Sequence, residues 1–254
     1  MILDKFKIDG KVALVTGASS GLGQAIAIAL AEAGADVAVH ARSEAKAADT
    51  CRRIHATGRR SAIVLGDLGD KTTPQRLVDD TMENFGRIDI VINNAGMIAR
   101  APAVEFLDDD WSKVIEVNLN SVFRVSQAAG RKMIEQGSGK IVNIASLLSF
   151  QGGITVPAYT AAKSGVAGLT KALANEWARL NVNVNAIAPG YFETANTSAL
   201  RADETRNRQI LERIPAGRWG KPDDLAGAAV FLSSTASDYM NGHILVVDGG
   251  WMGR

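Results

Sequence analysis

Tyr159 and Lys163 are two residues of this chain whose types and spacing could do proton-transfer chemistry. They begin an alanine-rich run that predicts a helix to about Leu180, and residues four apart share one helix face. An ammonium about 4 Å from a phenol stabilises the phenolate by roughly 4 kcal/mol at an effective dielectric constant of ~20, or about three pKa units. Such a pair could act as a base near neutral pH, although the same spacing is common on solvated helix surfaces.

The elements that must position this pair alternate between strand and helix. Seven apolar runs predict strands: Lys11–Thr16, Asp36–His40, Ser61–Leu65, Ile88–Asn93, Lys140–Ala145, Val182–Ala188 and His243–Val247. Helices are predicted over Gln24–Ala33, Glu44–Thr57, Pro74–Phe85, Asp109–Glu135, the Tyr159 run, Ala199–Arg213 and Asp223–Ser233. Uninterrupted apolar strands indicate burial on both faces. We therefore predict an α/β, doubly wound (Rossmann) fold in a single domain, 1–254, with a mostly parallel seven-stranded sheet and helices on both faces.

Composition argues against several classes of protein. A net charge of +1 over 254 residues gives no reason to expect nucleic acid or an anionic membrane as a partner. Charges occupy residues 1–7, where a signal peptide needs an apolar core, so we expect a cytoplasmic protein. The histidines His40, His55 and His243 lack ligand spacing, and Cys51 stands alone, so no zinc or other metal site is predicted.

A glycine-rich turn, Gly17 to Gly23, lies between the first strand and the first helix. Glycines let the backbone approach a pyrophosphate, and a helix N-terminus offers free N–H groups to it. The segment 17–21 also matches G-x-S-x-G, a hydrolase motif with Ser19 as nucleophile and His243 as its base. Only eighteen residues precede Ser19, too few for the earlier strand that such enzymes need, and Gln24 stands where a P-loop requires lysine.

Further motifs complete an ordered pattern that resembles the short-chain dehydrogenase/reductase family from residue 11 to 250. The matching residues are Thr16–Gly23, Asp67-Leu68, Asn93–Gly96, Asn118, Ser146, Tyr159 with Lys163, Pro189-Gly190 and Asp248–Gly250. Each motif is weak alone, but the ordered set is highly specific. The resemblance implies NAD(P)-dependent hydride transfer between a secondary alcohol and a ketone.

The resemblance also implies residue roles. Ser146 would donate a hydrogen bond to the substrate oxygen, and Tyr159 would transfer the proton. Lys163 would lower the pKa of Tyr159 and hold the nicotinamide ribose, while Asn118 would hold a water that links Lys163 to solvent. The expected nucleotide-binding residues are Gly17, Ser19, Ser20, Gly21, Leu22, Gly23, Arg42, Asp67, Leu68, Asn94, Ala95, Gly96, Tyr159, Lys163, Pro189, Gly190 and Thr194.

Arg42 follows the second strand, where members that use NAD usually carry an acid. A guanidinium there could pair with the 2′-phosphate of NADP. We therefore favour NADP as the cofactor and leave NAD open.

The second half of the chain is similar to the sugar-acid dehydrogenases of this family, which act on 2-deoxy-D-gluconate or 2-keto-3-deoxy-D-gluconate. Thr155 departs from them, because they often carry an arginine there, and this leaves the particular sugar acid open. A 3-oxoacyl-thioester reductase shares every catalytic motif, and a non-catalytic dinucleotide-sensing module would share the glycine turn. The expected substrate-binding residues are Ser146, Tyr159, Arg100 as partner of the carboxylate, Gln151 and Tyr191.

Two further features concern the loop after the sixth strand and assembly. The loop 188–198 is long and should close over the substrate. The Tyr159 helix is too apolar all round for a helix with one solvent face. The resemblance implies that such faces meet in a homotetramer, with Ser164–Leu180 and His243–Asp248 at interfaces.

Overall fold

A computed structural model describes all residues, 1–254, and shows them built around one sheet. Its strands are β1 (Val12–Val15), β2 (Asp36–Ala41), β3 (Ser61–Leu65), β4 (Ile90–Asn93), β5 (Gly139–Ile144), β6 (Val182–Pro189) and β7 (Ile244–Val247). Their spatial order is β3-β2-β1-β4-β5-β6-β7, and every neighbouring pair is parallel. The predicted doubly wound fold is confirmed, with a wholly parallel sheet.

Helices cover both faces of this sheet. They are α1 (Gly21–Glu32), α2 (Glu44–Ala56), α3 (Thr73–Phe85), α4 (Asp108–Ile115), α5 (Ser121–Gln136), α6 (Pro157–Trp177), α7 (Ser198–Ala202), α8 (Glu204–Arg213) and α9 (Asp223–Ser233). Side chains alternate along β1, so Ala13 and Val15 enter an apolar core with α1, α2 and α9. Leu14 enters a second core with α3, α5 and α6. Burial on both sides explains why the strands are continuous apolar runs.

The order of the strands reverses at β1. The chain first extends to β2 and β3 on one side of β1 and then crosses to β4 on the other. Ligands of open parallel sheets bind at such a point, in the crevice beyond the carboxyl ends of the strands. The glycine turn after β1 and the loops after β4 and β5 all open at this edge.

Two predicted helices begin or continue differently in the structure. The first helix begins at Gly21 rather than Gln24, so Gly21 and Gly23 form its first turn. The region predicted as one helix, 109–135, contains α4 and α5 joined by a π-helical segment, Glu116–Asn120. Its residues continue the helical pattern, so sequence periodicity does not reveal the change of winding.

The predicted helix over 199–213 is divided into α7 and α8 at Asp203. The backbone of Asp203 is extended there, and its carboxylate accepts the Arg206 N–H at 3.0 Å, which caps α8. We call residues 190–220 the lid segment, since the chain leaves the sheet at Gly190 and returns beside it where the Gly220 carbonyl accepts the Glu193 N–H at 2.8 Å. Strand boundaries agree with the predictions to within two residues.

Candidate active site

Ser146, Tyr159 and Lys163 meet at the carboxyl edge of the sheet. Ser146 follows β5, and its Oγ accepts the Leu148 N–H at 3.2 Å, which leaves the hydroxyl proton for another acceptor. Lys163 is buried on α6, where its Nζ donates to the Ile144 carbonyl at 2.5 Å and lies 5.6 Å from the centre of the Tyr159 ring. The three groups expected to carry out proton transfer are therefore brought together by β5 and α6.

Burial has the largest effect on the pKa values of Tyr159 and Lys163. It raises the pKa of Tyr159, while the Ser146 hydroxyl and the positive charge of Arg100 oppose that rise. Burial also lowers the pKa of Lys163 from 10.5 to about 8. The groups that offset burial at Tyr159 are Ser146 first and Arg100 second; the lowering of its pKa by Lys163, which the resemblance implies, stays a prediction.

Asn118 is fully buried in the π-helical segment between α4 and α5. Its Oδ1 accepts the Met97 N–H at 2.9 Å, and its Nδ2 donates to the Met97 carbonyl at 2.8 Å. Such insertions into α-helices frequently occur at functional sites. The side chain of Asn118 thus fastens the loop after β4 to this segment, and the water expected next to Lys163 stays a prediction.

The turn after β1 has the backbone of a phosphate cradle. Gly17 (φ +63°) and Gly21 (φ +56°) adopt left-handed conformations that favour glycine. A Cβ at Gly23 would lie 2.3 Å from both the Gly17 oxygen and the Asn94 Nδ2, so no other residue fits there without displacing the turn. Because α1 begins at this point, its unpaired N–H groups and positive dipole suit a pyrophosphate.

A cleft of about 990 Å³ runs from this turn to Ser146, Tyr159 and Lys163. It is lined by every residue expected to bind the nucleotide: Gly17, Ser19, Ser20, Gly21, Leu22, Gly23, Arg42, Asp67, Leu68, Asn94, Ala95, Gly96, Tyr159, Lys163, Pro189, Gly190 and Thr194. With the cradle that a Cβ would fill, this lining fits a nicotinamide dinucleotide. His40 also lines the cleft, although it is not among the residues expected from the sequence; a histidine at the end of an apolar strand is the signal that identifies it.

The residues expected to contact the substrate divide into two groups. Ser146 and Tyr159 line the cleft, whereas Arg100, Gln151 and Tyr191 do not. Arg100 lies at the rim, where its Nη2 donates to the carbonyl of a lid residue, Asn196, at 3.2 Å. Asn196 itself lines the cleft, so Arg100 lies beside it.

Gln151 and Tyr191 lie instead in an aromatic cluster, to which the lid segment contributes Tyr191 and Trp219. The Tyr191 ring meets Trp219 edge to face at 5.5 Å and lies 4.6 Å from Trp251. The Trp251 Nε1 donates to the Gln151 Oε1 at 3.4 Å. Arg213 lies over the Trp251 ring at 4.0 Å. Tyr191 therefore lies in this cluster because it packs against the Trp219 and Trp251 rings. Gln151 lies there because it accepts the Trp251 indole N–H.

The alternative hydrolase arrangement does not form. Ser19 follows β1 at the carboxyl edge of the sheet, whereas His243 precedes β7 at the opposite edge. A nucleophile and its base must lie within hydrogen-bond reach. No group of three or more histidine, cysteine, aspartate or glutamate side chains is arranged to hold a metal ion. None of the helices combines the length and the apolar character needed to cross a membrane.

Comparisons with known proteins agree with this geometry. The profile of a family described as Enoyl-(Acyl carrier protein) reductase, from the short-chain dehydrogenase group, matches residues 17–252. The 2-dehydro-3-deoxy-D-gluconate 5-dehydrogenase of Dickeya dadantii is 54% identical over 255 residues, all of both chains. A putative 2-deoxy-D-gluconate 3-dehydrogenase from Agrobacterium tumefaciens, solved with bound NADP, is 56% identical with a TM-score of 0.92, covering 98% of this chain and 99% of that one.

A second solved relative extends the comparison to a ligand. The gluconate 5-dehydrogenase from Burkholderia cenocepacia, in complex with NADP and tartrate, is 43% identical with a TM-score of 0.96, covering 100% of both chains. Sequence similarity and fold are thus shared over the full length. The chain belongs to the short-chain dehydrogenase/reductase family and is an NAD(P)-dependent oxidoreductase.

Proposed function

We propose that this protein interconverts a secondary alcohol and a ketone of a sugar acid, and that 2-keto-3-deoxy-D-gluconate is the first substrate to test. The observation that carries the proposal is the 54% identity over the full length of both chains to an enzyme named for this substrate. The arrangement of Ser146, Tyr159 and Lys163 supports the reaction type.

The roles of the chain's own residues follow from their positions. Bound NAD(P) supplies the redox chemistry, because its nicotinamide accepts or donates a hydride. Ser146 donates its free hydroxyl proton to the substrate oxygen, and Tyr159 exchanges a proton with that oxygen. Lys163, charged below its pKa of about 8, binds the ribose hydroxyls of the nucleotide. Asn118 keeps the loop after β4 in place beside them.

Arg42 is proposed to bias the cofactor site toward NADP. It lines both the main cleft and an adjoining cavity of about 610 Å³, which Arg76 also lines. Two guanidinium groups can form charge-assisted hydrogen bonds to a 2′-phosphate. Asp67 and Asp80 border the same cavity and moderate its positive charge, which keeps NAD usable.

Arg100 is proposed to bind the substrate carboxylate. Its charge acts on Tyr159, so the guanidinium lies within electrostatic range of the reacting oxygen. Its hydrogen bond to the Asn196 carbonyl also joins the loop after β4 to the lid segment. A cation at this rim suits an acid substrate better than the neutral chain of an acyl thioester.

A homotetramer in the cytoplasm is proposed as the working form. A stripe of small, exposed residues runs along α6, at Ala161, Ser164, Gly168 and Ala172, and would let a partner helix approach closely. β7 is an edge strand, paired only with β6, so its other side can meet a second copy.

The assignment is tested by one substrate screen with both cofactors. Purified enzyme and the Arg42→Ala variant are assayed on hexonates, keto-hexonates and 3-oxoacyl thioesters, each with NAD(H) and NADP(H). We expect turnover of a sugar acid, and a lower NADP-to-NAD efficiency ratio in the variant. Turnover of acyl thioesters alone would support the reductase alternative, and nucleotide binding without any turnover would support a sensing module. An unchanged ratio in Arg42→Ala would remove that residue as the phosphate reader.

A further inference from the structure

His40 is a buried histidine that contacts the phosphate-binding turn and has no part in the mechanism above. It lies near the end of β2 with 3% of its surface exposed. The Gly17 N–H donates to its Nδ1 at 3.0 Å, and its Nε2 lies 3.1 Å from the Gly66 carbonyl. Because Nδ1 accepts and Nε2 faces an acceptor, the ring must be neutral with its proton on Nε2.

The backbone of the same residue holds the next amide of the turn. The Ala18 N–H donates to the His40 carbonyl at 3.0 Å, and the Ala18 carbonyl accepts the Thr50 hydroxyl at 2.8 Å. Gly17 and Ala18 are thereby held in place just before the N–H groups that begin α1. The left-handed Gly17 is therefore braced by a side chain from the neighbouring strand.

Protonation of the ring would break this brace. A proton on Nδ1 would face the Gly17 N–H, so two donors would meet at a distance suited to one hydrogen bond. Arg42, after β2, opposes a charge on the ring, whereas Asp67, after β3, favours it. The glycine turn, β1 and β3 contribute no acidic or basic side chain, and Arg76 of α3 binds the neighbouring Leu65 carbonyl.

We propose that His40 is a positioning residue whose neutral imidazole holds the glycine turn in its nucleotide-binding form, so that protonation of His40 in the acid range weakens binding of both NAD and NADP. The enzyme would release its cofactor as pH falls, without any change in the catalytic residues. Burial lowers the pKa of His40, which keeps the ring neutral at physiological pH.

The test measures dissociation constants for NAD and NADP from pH 7.5 to 5.0 by quenching of tryptophan fluorescence, with far-UV circular dichroism to confirm that the protein stays folded. NAD is the decisive ligand, because it lacks the 2′-phosphate that itself titrates near pH 6. For the wild type we expect NAD binding to weaken progressively as pH falls through this range, because only the neutral imidazole supports the bound form.

Two variants assign the effect to His40. In His40→Asn the side-chain oxygen can still accept the Gly17 N–H but does not titrate, so NAD affinity should be flat with pH. His55→Asn is the matched control, since His55 is exposed on α2 and bonded only to Ser61; it should keep the wild-type pH dependence. A flat wild-type profile, or an unchanged slope in His40→Asn, would overturn the proposal.

Calorimetry gives a measurement that needs no variant. Binding of NAD at pH 5.5 should release up to one proton per site as the ring becomes neutral, which titrations in two buffers of different ionisation enthalpy detect. No proton release at pH 5.5, in a protein that still binds NAD, would contradict the proposal even if every His40 variant failed to fold.

Discussion

Among single residues, Tyr159 is the one whose loss should stop the reaction. Its raised pKa keeps it protonated at neutral pH, so the free enzyme is prepared to protonate a ketone, and alcohol oxidation should speed up as pH rises. We expect Tyr159→Phe to lose at least about a hundredfold in kcat, the scale of a positioned acid–base group, while nucleotide affinity changes little. Steady-state rates and fluorescence titrations test this, and near-normal turnover would contradict the role.

Lys163 is proposed to bind the nucleotide, but its burial should destabilise the fold. Its pKa in the folded protein, about 8, lies below the ordinary 10.5, so between these values the unfolded chain binds more protons. The burial penalty is therefore fully present below pH 8 and is relieved as pH rises toward 10.5. We expect Lys163→Met to raise the free energy of unfolding by up to about 3 kcal/mol at pH 7, with the gain vanishing near pH 10.5.

Unfolding of the nucleotide-free protein by urea at pH 7 and pH 10 measures this difference. The variant should at the same time bind NADP more weakly, since the ammonium that holds the ribose is gone. A variant that is less stable than the wild type at pH 7 would show that the hydrogen bond to the Ile144 carbonyl outweighs the cost of burying the charge.

Arg100 is placed either to bind the substrate carboxylate or to position the lid segment through Asn196. Activity on charged and uncharged substrates distinguishes these two roles. A charge-assisted contact to a carboxylate is worth roughly 1.5–3 kcal/mol, or about tenfold to a hundredfold in kcat/KM. We expect Arg100→Ala to lose that factor on the sugar acid and far less on its uncharged lactone or alditol. Equal losses on both would assign Arg100 to positioning the lid through Asn196 rather than to the carboxylate.

At the scale of elements, α6 is joined to the sheet by a chain of buried polar side chains. The Asn93 Nδ2 donates to the Asn143 Oδ1 at 2.9 Å, and the Asn143 Nδ2 donates to the Thr170 Oγ1 at 2.9 Å. These residues belong to β4, β5 and α6, and Thr170 lies two turns along α6 from Lys163. The chain therefore sets how the helix that carries Lys163 sits on the strands.

Thr170→Val keeps the shape of the side chain and removes the acceptor of Asn143. A buried donor without a partner costs about 1–3 kcal/mol, and we expect that loss in urea unfolding together with weaker NADP binding. Thr81→Val is the matched control, because Thr81 is equally buried on α3 but its hydroxyl donates only to Leu77 of the same helix at 2.7 Å. Equal stability losses in the two variants would mean that the polar chain adds nothing.

For the whole molecule, we expect the exposed face of α6 to decide whether copies assemble. We expect sedimentation at micromolar concentration to give four copies of the 26.8 kDa chain. Gly168 on α6 has open space beside it, so Gly168→Arg is compatible with one subunit and should dissociate the assembly only if this face is an interface. Gly227→Arg on α9 is the control, since Gly227 is also an exposed helix glycine with open space. A monomeric wild type would refute the homotetramer.

The sequence by itself determined the features that depend on neighbours along the chain. The apolar strands, the glycine turn and the spacing of Tyr159 and Lys163 are local patterns, and local patterns are set by backbone geometry. From them followed the doubly wound fold, which the structure confirms. The family resemblance added the residues expected to bind the nucleotide, and these line one cleft. Because parallel strands end at the same edge of the sheet, residues that follow different strands lie close together there.

Only the tertiary structure decided the features that depend on contacts across the chain. Gln151 meets Trp251, 100 residues away, and so belongs to the packing of the lid rather than to the cleft. Asn118 binds the peptide of Met97 from a π-helical segment that no periodicity distinguishes from an α-helix. His40 became a brace for Gly17 only because β2 lies beside β1. Which partner a buried polar group finds depends on the packing of distant elements, and spacing along the sequence does not contain that information.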